Sequence, residues 1–138
     1  YALNDLSAAL NTADYIVSIS ESWLTPGLLP MLVFLITGII AFSTGTSWGT
    51  YAIMIPISVP LAFSFSGGEL APVVYATLAA VAGGGVFGDH CSPLSDTSIL
   101  ASTGAASDHI DHIKTQMPYA LLVGAICLVI YLVLGMSL

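Results

Sequence analysis

The chain has 138 residues, 57% of them apolar and only 7% charged, where a soluble domain carries roughly 25% charged residues to meet water. One Lys or Arg stands against eight Asp and Glu, for a net charge of −7. That balance cannot neutralise a phosphate backbone, so it excludes nucleic acid as a partner, and it removes the cationic signal that orients membrane spans.

The solvent this composition suits is hydrocarbon. In lipid a helix satisfies its own backbone, so the expected fold class is an all-α polytopic membrane protein, multi-pass, with the lipid bilayer as its surroundings. Cys91 and Cys127 fall in different segments and read as free thiols. Residues 1–22 are expected to form a helix interrupted by Asn4, Asp5, Asn11, Asp14 and Glu21. Such a helix is too polar to face lipid all round, so it is interfacial or packed on partners. Trp23 with Thr25-Pro26-Gly27 marks a helix start near a membrane surface.

Residues 27–65 read as a helical hairpin. Its first arm, 28–43, stops after about 16 positions, roughly 24 Å against a ~30 Å hydrocarbon core. A polar tip follows at 43–50 (Ser-Thr-Gly-Thr-Ser-Trp-Gly-Thr), then an apolar arm at 51–65 with Pro56 and Pro60. Two short arms around a polar, glycine-bearing tip suggest a re-entrant hairpin. Residues 69–106 read as a discontinuous helix with its break at 88–97, just after Gly83-Gly84-Gly85; such glycines allow close approach of backbones and also unwinding. Residues 107–115 read as an aqueous loop, and 116–136 as an uncharged spanning helix.

The two polar interruptions carry the functional signal. An ionised carboxylate near mid-bilayer costs about 2.5–3.5 kcal/mol on insertion scales. Asp89 and Asp96, set between apolar arms, must therefore be solvated by protein, water or an ion. Ser and Thr hydroxyls and unwound carbonyls are hard oxygen ligands, suited to a small cation such as Na⁺. Ser92, Ser95 and Asp96 have helical spacing i, i+3, i+4. Asp89, seven before Asp96, would approach the same side along a helical path, with Pro93 interrupting it. Asp89, His90 and Asp96 are the proton-coupling candidates, since an imidazole beside a carboxylate can share a proton near neutral pH.

The plainer reading makes Asp89 a cap, Ser92-Pro93 a turn and Asp96 a surface residue, with the hydroxyls of 43–50 serving helix packing. Enzyme readings fail on context. Gly45-Thr46-Ser47-Trp48-Gly49 matches the serine-hydrolase elbow, but that motif needs a preceding strand and a soluble sheet. Val86 stands where the G-x-G-D of intramembrane aspartyl proteases needs glycine. Asp108-His109-Ile110-Asp111-His112 could be a zinc pair, although a solvated loop explains it as well.

At these same breaks the chain resembles the NhaC-type sodium/proton antiporters, a family that includes malate/lactate antiporters. The stretches that carry the resemblance are 41–50 with Ile53-Met54-Ile55-Pro56-Ile57, 88–97, and Asp108-His109-Ile110-Asp111-His112 with Lys114-Thr115-Gln116 and Pro118-Tyr119-Ala120. The resemblance implies one repeat of an ion-transporter-type fold, here a C-terminal fragment whose partner is the remaining half of a longer transporter. It implies ion or substrate binding at Ser43, Thr44, Thr46, Ser47, Asp89, Ser92, Ser95, Asp96 and Thr97, with Na⁺ at Asp89 and Asp96. The expected function is Na⁺/H⁺ antiport in the cell membrane, with Na⁺ and H⁺ as cargo rather than cofactors. The alternatives are a cation-coupled carboxylate antiporter and a non-transporting packing subunit. A homodimer is a further expectation.

Overall fold

Pro30, at the second position of an apolar run, decides where the first helix begins, because a first-turn proline gives up an N–H that has no helical partner anyway. A computed structural model describes residues 24–138 together with residues 9, 10, 15, 18 and 19. The expected helix over 1–22 lies outside the described residues apart from those five. The helices are α1 (Leu29–Thr44), α2 (Ser47–Phe65), α3 (Pro72–Cys91), α4 (Asp96–Gly104) and α5 (His109–Ser137). Among the described residues every regular element is helical.

Gly45 ends α1 in the left-handed conformation, with φ 68°, and its N–H returns to the Ala41 carbonyl at 2.8 Å. Thr46 then caps α2 by accepting from the Gly49 N–H at 3.3 Å. The polar tip expected at 43–50 is thus only Gly45-Thr46; Ser43 and Thr44 finish one helix while Ser47 to Thr50 begin the next. The second arm gains four residues through that cap and reaches 19, roughly 28 Å. By length and composition α2, α3 and α5 can each cross a membrane, and α1 is shorter. The hairpin is therefore a helix–turn–helix, and its lengths do not single out a re-entrant course.

Small residues seat α1 against α3. A Cβ on Gly84 would press on the Phe34 carbonyl and the Gly38 N–H, and one on Gly88 would meet the Gly38 carbonyl and the Phe42 N–H. These contacts advance together along both chains, so α1 and α3 run parallel. Because the glycines are spent on this packing, α3 stays helical through Gly83–Gly88 rather than unwinding there. The tight turn brings α2 back antiparallel to both, and its Tyr51 hydroxyl donates to the Ala82 carbonyl of α3 at 3.1 Å. The long α5 also runs antiparallel to α3: Gly124 faces Phe87, and Tyr131 packs on Phe34 at 5.2 Å between ring centroids. Leu29, Val33, Phe34, Met54, Leu61, Val74 and Val81 form the buried apolar core among these helices.

Two further boundaries differ from the sequence reading. The break occupies only Ser92 to Ser95, because α3 persists to Cys91 and Ser95 caps α4. The expected loop at 107–115 is mostly helix. Asp108 accepts from the N–H groups of Ile110 and Asp111 at 2.9 and 3.1 Å, and this cap starts α5 at His109.

Candidate functional site at the helix break

Pro93 restricts the residue before it to extended backbone, and Ser92 is extended, with ψ 131°. The chain therefore leaves α3 and re-enters helix only at Asp96. This short exit lies against the turn of the α1–α2 hairpin. Ser92 is fully buried, and its hydroxyl donates to the Phe42 carbonyl at 2.7 Å, a bond spanning 50 residues of sequence. A Cβ on Gly45 would stand 2.6 Å from the Leu94 carbonyl. Two features fix that position as glycine: the positive φ and the close approach. The two polar interruptions of the sequence meet here.

Asp89, in the last turn of α3, is 5% exposed. Its Oδ1 accepts from the Ser95 hydroxyl at 2.7 Å. Ser95 has one proton to give and gives it to the carboxylate, so the 2.7 Å contact between its oxygen and Thr97 Oγ1 places the donor on Thr97. The Thr97 N–H also donates to Ser95, at 3.2 Å. Two donors on the Ser95 oxygen polarise its O–H toward Asp89, the cooperative arrangement that solvates a buried negative charge. Helix termini add to the local field: the C-terminal turn of α3 points its carbonyls, two of them accepting from the Ser92 N–H and the Ser98 hydroxyl, toward the break and favours a cation, and the start of α4 favours an acid.

The remaining candidates divide. Asp96 is exposed in the first turn of α4, whereas Asp89 is buried, and Asp96 makes no side-chain hydrogen bond to the Asp89–Ser95 pair. Helical spacing does not carry across this stretch, because Ser92 before Pro93 is extended. Ser43 and Thr44 are exposed and donate back to the Ile39 and Ile40 carbonyls of their own helix, each at 2.8 Å. Thr46 is a cap, Ser47 opens α2, and Thr44 contacts the buried Thr50 at 3.4 Å. Ser47 follows a helix and not a strand, which removes the hydrolase elbow. His90 is exposed, and only its backbone is engaged here, by the Ser98 hydroxyl at 3.2 Å.

Sequence reasoning missed His109. Its Nε2 donates to the Pro93 carbonyl at 2.9 Å, while Nδ1 lies 3.2 Å from the Ser102 hydroxyl. One imidazole thus ties the start of α5 to the break and to the end of α4, and both of its nitrogens are used. Its first-turn position after a capping Asp was the available signal. Among the described residues no three His, Cys, Asp or Glu side chains converge as a metal site, so a cation held here would rest mainly on hydroxyl and carbonyl oxygens around one carboxylate.

The chain matches the model of the Na⁺/H⁺ antiporter family over residues 1–136. It is 42% identical to an uncharacterized protein of Haemophilus influenzae, over 99% of this chain and 26% of that one. It is 34% identical to the arginine/ornithine antiporter ArcD of Halobacterium salinarum, over 91% of this chain and 25% of that protein. To the malate-2H⁺/Na⁺-lactate antiporter of Bacillus subtilis it is 25% identical, over 96% of this chain and 31% of the relative. The chain thus spans between a quarter and a third of the length of these relatives. No solved structure matches it.

Proposed function

The chain belongs to the Na⁺/H⁺ antiporter family, and from that premise we propose that it supplies the cation site of a secondary active transporter, with Asp89 as the group for which Na⁺ and H⁺ compete. The observation that carries this reading is a buried carboxylate, between apolar helix arms, whose hydrogen bond comes from a polarised serine hydroxyl. An isolated carboxylate in that setting is expensive. A bound proton removes the charge, and a bound Na⁺ balances it with hard oxygens from Asp89 and the terminal carbonyls of α3, while Ser95 keeps its hydrogen bond to the carboxylate. One carboxylate cannot hold both ions, so loading either expels the other. Exposing the site to each side in turn then yields exchange. Thr97 is linked to this group through Ser95 and shares a cleft with His90, and the protein is proposed to work in the cell membrane together with the remainder of the transporter.

A second reading draws on the arginine/ornithine and malate/lactate relatives. In it the same cation site couples transport of a carboxylate-bearing metabolite, held by the hydroxyls and N–H groups around Ser43, Thr46 and Ser47 at the hairpin turn. Those hydroxyls lie outside the Asp89 network, and a cargo carboxylate would have to draw Ser43 from its bond to the Ile39 carbonyl. The test is reconstitution of the complete transporter in liposomes. An imposed Na⁺ gradient should move protons without any organic substrate. Proton movement that appears only with malate, lactate or arginine gives the second reading, and no Na⁺-linked flux under either condition contradicts both.

A further inference from the structure

Asp89 is buried, yet its side-chain contacts lead outward in two steps. Its oxygen is bonded to Ser95, which is fully buried, and Ser95 is bonded to Thr97, which is exposed. Thr97 opens into a cleft of about 180 Å³ between α3, α4 and α5, which it shares with His90, Ser98, Ala101, His112 and Gln116. Liquid water occupies about 30 Å³ per molecule, so the cleft has room for several. The Gln116 Oε1 atom is buried without a hydrogen-bond partner. A buried unpaired acceptor is costly, and a small rotation of the Gln116 side chain would turn it toward water or an ion in the cleft it borders. His90 and Gln116 also border a separate, apolar groove of about 630 Å³ along α3 and α5. The wettable surface therefore ends at these two residues.

We propose that the cleft between α4 and α5 is a hydrated vestibule through which a small monovalent cation reaches Asp89, with Thr97 as the last group it passes. The proposal rests on the reading of Asp89 as the cation site. A cation suits the vestibule better than an anion because the Asp89 carboxylate lies at the inner end of the route, and the Thr97 and Ser98 hydroxyls line the cleft beside the His90 and His112 imidazoles. The residues that shape the vestibule come from three helices, so movement of α4 against α5 would open or close it.

The test uses the complete transporter in membrane vesicles, with Cys91 and Cys127 replaced by alanine and one new cysteine at a time: Ala101→Cys, Gln116→Cys, Thr97→Cys, and Val129→Cys on the exposed apolar face of α5 as the dry control. A charged, membrane-impermeant methanethiosulfonate reports hydration. Cysteines at 101 and 116 are expected to react at least tenfold faster than the one at 129, and Na⁺ is expected to slow reaction at 97 severalfold. Two independent vestibule positions keep the test decisive if one variant fails to insert. Reactivity at 101 and 116 no greater than at 129 means the cleft is packed by protein and overturns the proposal. Fast reaction at 101 and 116 with no Na⁺ effect at 97 overturns the route while leaving Asp89 to be judged by ion flux.

Discussion

The hairpin turn and the helix break are rich in the same residue types, yet they use them in opposite ways. At the turn, Ser43 and Thr44 return their protons to carbonyls of their own helix, and Thr46 spends its oxygen on a cap. At the break, Ser92 reaches across to another helix and Ser95 faces a carboxylate. Ser43 and Thr44, inside a continuous helix, have a carbonyl within reach one turn back and are satisfied locally. Hydroxyls in an extended segment have none, and they bond whatever the fold presents. The contrast separates hydroxyls spent within their own helix from those that join one segment of the fold to another.

That contrast can be broken by substitution. Gly88→Val should have the largest effect, because its new side chain would drive α1 off α3 and carry the break with it. Overpacking of this kind costs about 3 kcal/mol or more, read as a lowered melting temperature in detergent. Ser95→Ala keeps the backbone but strips Asp89 of its donor. A hydrogen bond to a charged group contributes about 1.5–3 kcal/mol, so Na⁺ affinity, measured by Na⁺-dependent thermal stabilisation, should fall at least tenfold. His109→Ala unties the Pro93 carbonyl and should destabilise the protein by about 1 kcal/mol, with His109→Gln recovering part of the loss in the same melting experiment. Ser43→Ala should shift neither melting nor Na⁺ affinity by more than about 0.5 kcal/mol, the range of a surface substitution.

Much of this architecture is legible in residue order. Thr25-Pro26-Gly27 announces the first helix start, Ser92-Pro93 lies within the expected break, and the short apolar arm before Gly45 places the turn. The burial of Asp89 follows from its apolar flanks. What could not be read is long-range or depends on caps. Nothing in the order of residues announces that Ser92 meets Phe42, since that bond exists only once the glycines of α3 have seated on α1. Asp108 turned an apparent loop into the first turn of α5, and His109 gained its role only when that turn reached the break. Asp96 looked equivalent to Asp89 until the extended residues between them rotated it to the surface.

The unequal fates of these two acids offer the most direct test. Sodium-driven proton flux should be compared in liposomes carrying the complete transporter with Asp89→Asn or with Asp96→Asn. Flux abolished by the first change and largely kept by the second is the expected result. Flux that survives loss of the buried carboxylate, or that depends on the exposed one alone, would contradict the account.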